Sequence, residues 1–163
     1  MNKPLITIGI TCFNAENTIS RAINSAVNQT WANKEIIIVD DSSKDNSFKI
    51  IKNNQSKHNK IRVFKNIKNL GPAGSRNLII NKSKGTFIIF FDDDDYSYNT
   101  RIENQHDTII KYEDSLKSDK IICYASGSRV YPNNYKINLD AIGSKNQKLI
   151  SYKAYANYIF LYE

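Results

Sequence analysis

The chain reads as an α/β protein whose mostly parallel central sheet is covered by helices on both faces. Three observations predict it. Short runs of β-branched and aromatic residues alternate regularly with stretches of helical period. The runs are apolar along their length, as strands covered on both faces must be. The unusual polar residues all fall where those runs end, and ligands of such sheets bind beyond the carboxyl ends of the strands.

Residues 5–13 form the first β-branched run, which ends at Asn14. Ile19, Ala22, Ile23, Ala26 and Val27 then recur at the spacing of a helix with one buried face, with Asn17 or Thr18 available as its cap. Glu35–Val39 makes the second strand and stops at Asp40-Asp41-Ser42-Ser43. A short helix follows from about Asp45, with Phe48, Ile51 and Ile50 turned inward, and residues 61–65 make the third strand. The segment Asn69–Asn77 opens the next helix, where Pro72 suits a first turn that needs no N–H. The fourth strand, 86–91, runs into Asp92-Asp93-Asp94-Asp95. A helix from about Thr100 to Leu116 points Ile102, Ile109, Ile110 and Leu116 inward, and 120–126 is expected to be a fifth strand.

At 163 residues the chain has the length of one domain with a substantial core. Its 23 Lys and Arg against 16 Asp and Glu leave a charge of +7. The basic residues (Lys49, Lys52, Lys57, Lys60, Lys65, Lys68) are spaced singly, which suits a solvated surface and also attraction to anionic membranes or phosphorylated ligands. No nucleic-acid-binding motif is present. Cys12 and Cys123 have no metal or redox spacing, and both lie in apolar runs as small buried hydrophobes. The first dozen residues lack the h-region of a signal peptide, and no run approaches a membrane span, so the cytoplasm is the default compartment.

The acidic tetrad carries the most information. Four adjacent carboxylates at the end of a buried strand repel one another, and a hard divalent cation shared with substrate phosphates keeps them ionised. A nucleoside diphosphate fits the other parts. Asp41 can accept the N3–H of uracil, Phe13 offers a face or edge to the base, and Arg76 can add charge at the phosphates or hold the acidic loop. Duller readings stand beside these: Asp40 or Asp41 as caps, Gly71 and Gly74 as turn and packing positions, Arg76 as partner of an Asp, and the tetrad as a solvated turn.

From Ile6 to Ile122 the chain resembles the inverting family 2 glycosyltransferases of GT-A (Rossmann-like) fold. Four motifs in order carry the resemblance: Phe13-Asn14 with Glu16 and Asn28-Gln29-Thr30; Glu35–Ser43 with Asp45; Asn69–Asn77; and Gly85 through the strand into the tetrad. Arg101-Ile102-Glu103 matches the family's Arg-Leu-Glu. The resemblance implies that Asp92 and Asp94 form the D-x-D pair for Mg2+ or Mn2+, with Asp93 near the ribose or phosphate. It places Thr11, Phe13 and Asp41 in the nucleobase pocket, with Asn14 and Glu16 on the same loop, and Asn69, Gly74 and Arg76 at donor-contacting and loop-ordering positions. It implies transfer of a sugar, with inversion, from a UDP-sugar to a glycan or lipid-linked acceptor, a hexosyltransferase-type reaction at or near the inner face of a membrane.

Two departures matter. Asn99 stands where the family commonly has Pro. The family's general base lies in the acceptor half, and Asp140 and Glu163 are the only carboxylates after Asp119, with Asp140 a weak candidate. Residues 148–160 set Leu149, Tyr152, Ala156, Ile159 and Phe160 at helical spacing, a stripe that suits a core or interface. The expectation is a single GT-A domain lacking its C-terminal part, with 1–125 as donor-binding half and 126–163 as the start of the acceptor half. A catalytically silent nucleotide-sugar-binding module is the alternative. A receiver-like phosphoacceptor domain is a remote one, disfavoured by the full strand-helix unit before Asp40-Asp41.

Overall fold

The computed structural model of the chain describes residues 3–117, 121–123, 125, 127–130 and 135–139. Two units divide between Asn104 and Gln105. The first holds β1 (Ile6–Cys12), α1 (Ile19–Val27), β2 (Lys34–Asp40), α2 (Ser47–Lys57), β3 (Ile61–Lys65), α3 (Gly71–Lys82) and β4 (Phe87–Asp92). The first turn of α4 (Arg101–Leu116) also belongs to it. The second unit contains β5 (Gly127–Val130) and β6 (Lys136–Leu139), paired antiparallel.

The four strands of the first unit are parallel and stand in the order β3-β2-β1-β4. Period-two alternation sends each strand's side chains to opposite faces. Ile8, Ile10, Ile36 and Ile38 join Ile19, Ile23 and Ala26 of α1 and Ile51 of α2 in one cluster. Ile37 and Val39 meet Ile79 of α3 in another. Both faces are therefore covered, as the apolar runs predicted. Close seating of α3 depends on Gly9, where an added Cβ would lie 2.6 Å from Ile79 Cγ2. Truncation of a fully buried side chain such as Ile23 to Ala should cost about 2–5 kcal/mol.

This strand order decides where the site lies. The chain leaves β1 in one direction to build β2 and β3, then returns through α3 to place β4 on the other flank of β1. The crevice at that reversal is where open α/β sheets bind ligands. The order also removes the receiver reading, which needs the third strand beside the first; here β3 pairs with β2.

Several local expectations are corrected. Neither Asn17 nor Thr18 caps α1 through its side chain; Thr18 Oγ1 donates instead to the Ala15 carbonyl. Ile110 is exposed, whereas Ile102 in the first turn of α4 is buried in the first unit's core. Among the described residues of 120–126, Ile121, Ile122, Cys123 and Ala125 are not in a strand, and the strand begins at Gly127. Ile122 is exposed and Cys123 only half-buried, whereas Cys12 is buried as expected.

Candidate active site

Register aligns the carboxyl ends of the strands. Lys65 stands opposite Asp40, Asp40 opposite Cys12, and Thr11 opposite Asp92. Beyond that edge lies an open cleft of about 470 Å³. Thr11, Cys12 and Phe13 line it from β1, Asp41 from β2, Asn69 and Arg76 from the α3 segment, and Asp92, Asp93 and Asp94 from β4. Four parts of the sequence that looked chemically unusual thus converge in one cavity.

The β2–β3 side of the cleft is densely bonded. Asp41 is almost wholly buried, and its Oδ1 accepts from Asn66 Nδ2 at 2.6 Å and from the Leu70 N–H at 2.9 Å. Asn66 also donates to Ser75 Oγ at 3.0 Å. Burial alone would push the Asp41 carboxyl up, but hydrogen bonds from Asn66, Leu70, Ser75 and Gly71 outweigh it and hold the group below the usual carboxylate range. Asp40 is buried beside it, paired with Lys65 Nζ at 3.7 Å and accepting from the Ser43 N–H.

The β4 side is the opposite. Asp92 is more than half exposed and takes one hydrogen bond, from Arg76 Nη2 at 3.1 Å. Asp93 accepts from the Phe13 N–H at 3.1 Å, which ties the acidic turn to β1. Burial is the main cause of the raised Asp93 value, with Asp94 and Asp92 adding to it against the Phe13 bond. Asp95 is raised in the same way, by burial and then by Asp92 and Asp94. The Asp94 carbonyl accepts from Arg21 Nη2 of α1.

The backbone around the cleft turns sharply. Asn14 and Ser42, just past β1 and β2, have φ values of 52° and 66°. Asn tolerates this region; for Ser it stores about 1–2 kcal/mol of strain, which marks the turn as a built feature. Gly71 opens α3 at φ 73°, where a side chain would be strained. Gly74 serves packing, since a Cβ there would lie 2.6 Å from Leu70 Cβ.

Of the residues expected at the site, Thr11, Phe13, Asp41, Asn69, Arg76, Asp92, Asp93 and Asp94 line the cleft. Asn14, Glu16 and Gly74 are not among its lining residues. Asn14 Oδ1 accepts from the Lys44 N–H, and Glu16 Oε2 accepts from the Asn46 N–H and side chain, so both lock the β1–α1 loop to the β2–α2 loop. Asn69 Oδ1 accepts from the Gly71 N–H, shaping the turn into α3. Asp140, Glu163 and the stripe 148–160 lie outside the described residues.

Among the described residues no three His, Cys, Asp or Glu side chains gather as a metal group. A hard octahedral cation that keeps waters and takes substrate phosphates needs only one or two carboxylates. Asp92 and Asp94 fit that smaller requirement, since both are exposed at the cleft and the Asp94 carboxylate makes no hydrogen bond among the described residues. Cys12 lines the cleft, and burial, then Asp93, pushes its thiol up to about 12, which disfavours the thiolate.

Comparison with known proteins gives the architecture its family. The model of "Glycosyl transferase family 2" matches residues 7–160. The chain belongs to glycosyl transferase family 2. It is 44% identical over 101 residues to the Escherichia coli UDP-Glc:alpha-D-GlcNAc-diphosphoundecaprenol beta-1,3-glucosyltransferase WfaP, covering 62% of this chain and 39% of that protein. It is 40% identical over 105 residues to an uncharacterized glycosyltransferase of Haemophilus influenzae, covering 64% of this chain and 42% of the relative. The chain therefore spans about two-fifths of these relatives' length. The crystal structure of S. aureus TarS superposes with TM-score 0.60 at 26% identity, over 66% of this chain and 20% of TarS. This likeness fits the four-stranded parallel sheet as the central layer of a GT-A domain.

Sequence reading missed Asn66 and Arg21 at this family 2 site, and it named Ser75, Gln29 and Arg101 only as members of motifs, without the tasks their hydrogen bonds give them. Asn66 and Ser75 hold Asp41. Gln29 ties three elements together, donating to the Ser25 and Tyr98 carbonyls and accepting from the Ile102 N–H at the start of α4. Arg101 clasps the acidic turn through the Phe90 carbonyl and Ser97 Oγ. Asn66 was findable, as the polar residue directly after β3. Arg21, on the outer side of α1, carried no signal.

Proposed function

We propose that the chain forms the donor-binding part of a metal-dependent, inverting glycosyltransferase that moves a hexosyl group from a UDP-sugar to a glycan or lipid-linked acceptor. The observation that carries this reading is the cleft at the β1–β4 reversal. It sets a buried, ionised Asp41 and a half-exposed Phe13 against a turn of acidic residues held by Arg76. The E. coli relative WfaP is named as a UDP-Glc glucosyltransferase acting on a diphosphoundecaprenol-linked sugar, which supports the donor and the acceptor class.

Each residue then has a task. Asp41 has capacity beyond its two Oδ1 bonds to accept the N3–H of uracil, and Phe13 packs against the base. Asp93 holds the Phe13 N–H, so base wall and acidic wall move as one. Arg76 brings a guanidinium to the diphosphate while keeping Asp92 in place. Mg2+ or Mn2+ held by Asp92 and Asp94 would neutralise the diphosphate and make it a better leaving group. The acceptor hydroxyl attacks the anomeric carbon in line as the bond to UDP breaks, and its proton passes to a general base outside the described residues.

The test combines calorimetric titration of UDP, with and without Mn2+, and an assay of UDP release from UDP-Glc with a lipid-diphosphate-linked GlcNAc acceptor. The expected result is metal-dependent UDP binding and acceptor-dependent release. Binding without release would leave a nucleotide-sugar-binding module, and absence of metal-dependent binding would remove both readings.

A further inference from the structure

The positive charge of this chain is not evenly distributed. Residues 44–86 hold eleven Lys and Arg and a single acidic residue, Asp45, whereas the rest of the chain holds twelve basic and fifteen acidic residues. Spaced singly in sequence, the cations of this segment are gathered by the fold at the β3 edge, on α2, β3 and α3. Four of its exposed lysines sit on or beside two adjoining loops at the cleft end of the sheet. Lys44 lies in the loop before α2 and Lys49 in the first turn of that helix, while Lys65 ends β3 and Lys68 follows in the loop after it. The loops are joined: the Asn66 N–H donates to the Asp40 carbonyl, and Lys65 Nζ lies 4.4 Å from the centre of the Phe48 ring of α2. Between Lys65 and Lys68 stands Ile67, fully exposed at 102%, with Leu70 half-exposed three residues on.

A lone edge strand is commonly protected by lysines that discourage pairing with another strand. That accounts for Arg62 and Lys65 but not for cations on both flanking helices, and an outward isoleucine at the end of such an edge works against it. A basic rim around an exposed aliphatic tip is instead the pattern of an interfacial loop, in which lysines meet anionic headgroups and the apolar tip enters the acyl boundary. Nucleic acid fits less well. The aromatic rings here are covered by cations, Phe48 by Lys65 and Phe64 by Arg62 and Lys82, so they offer no open stacking platform.

We infer that the loop Lys65–Leu70, with Lys44 and Lys49 beside it, is a docking surface for a bilayer carrying anionic phospholipid. Asn69 and Gly71 at its end line the donor cleft, so the same contact holds the cleft beside the lipid surface. The inference rests on charge and exposure alone and stands whether or not the chain turns over a sugar donor.

Co-sedimentation of the full chain with vesicles tests it, using phosphatidylcholine alone and phosphatidylcholine with about a third phosphatidylglycerol. Binding should require the anionic lipid and weaken with salt. Lys49→Glu/Lys68→Glu should lower partitioning about thirtyfold or more, from roughly fivefold per lysine near an anionic surface. Ile67→Ser should lower it about tenfold with the charge unchanged. Unaltered circular dichroism and thermal unfolding would show that the variants fold, and metal-dependent UDP binding, measured separately, keeps this test distinct from that of the donor site. Equal binding to neutral vesicles would overturn the inference. So would full binding by the Ile67→Ser variant, or by the double Lys variant, the former marking a general polyanion surface that single-stranded RNA would occupy equally.

Discussion

The two walls of the cleft hold carboxylates in opposite ways. On the β2–β3 side Asp41 is 3% exposed, donors surround it, and its carboxyl lies below the usual range. On the β4 side four aspartates sit in one turn, the Asp92 side chain is 55% exposed, and Asp93 and Asp95 are pushed up by burial and by their neighbours. On the first wall the protein itself satisfies Asp41. The other carries an excess of negative charge, which Arg76, Arg101, Arg21 and the Phe13 N–H offset only in part. The difference separates a preformed recognition surface from a surface completed by an added positive charge.

Breaking the Asp41 wall should have the largest effect. Asp41→Ala leaves Asn66 and the Leu70 N–H without their acceptor in a buried place. Urea denaturation should show a loss of about 2–4 kcal/mol, with UDP affinity falling alongside. Asp94→Ala acts on the other wall and should divide the two properties. Stability should stay within about 0.5 kcal/mol, because the side chain is exposed. UDP affinity in Mn2+ should fall about tenfold or more, while any affinity measured in EDTA stays the same. A large stability loss in Asp94→Ala would show that the two walls do not differ as described.

Acidification should move the walls in opposite directions. Asp93 and Asp95 lie above the ordinary aspartate value of 3.8, so the folded chain takes up protons there before the unfolded chain does. Their contribution to stability therefore rises as pH falls through those raised values towards 3.8. Asp41 and Asp45 lie below 3.8; their contribution is complete above it and is lost as pH falls through their folded-state values. Equilibrium unfolding followed from about pH 7 to about pH 3 should pass a shallow maximum before stability drops. The smallest effect is local. Asp94→Asn should lower the Asp93 titration seen by carboxyl NMR, yet leave it above 3.8, because burial is the larger cause.

Much of this was legible in the chain. The strands β1 to β4 announce themselves through short apolar, largely β-branched runs such as Ile36-Ile37-Ile38-Val39 and Ile88-Ile89-Phe90-Phe91. The helix α1 does so because Ile19, Ala22, Ile23 and Ala26 bury one stripe. The cleft residues were legible because parallel sheets collect chemistry at strand ends, so Asp41 and the tetrad stood out by position. Less legible were residues whose task depends on a distant partner. Gln29 looks like an ordinary helix-end amide until its bonds to Tyr98 and Ile102 are seen. Asn14 and Glu16 sit in the right loop, but their hydrogen bonds run to the neighbouring loop. Among the described residues of 120–126 none lies in a strand: the β-branched pair Ile121-Ile122 marks strand propensity, but propensity alone does not make a strand.

By itself the sequence determined the layered α/β fold, the family motifs and the placing of acidic residues at strand ends. Those follow from periodicity and from the need to bury apolar runs, which act over short stretches of chain. Tertiary structure alone decided the order β3-β2-β1-β4, and with it which strand ends meet. It also decided that donors hold the Asp41 carboxyl down while burial and neighbouring carboxylates push Asp93 and Asp95 up. Hydrogen bonding, burial and repulsion depend on through-space neighbours, and those exist only once β4 has come to lie beside β1.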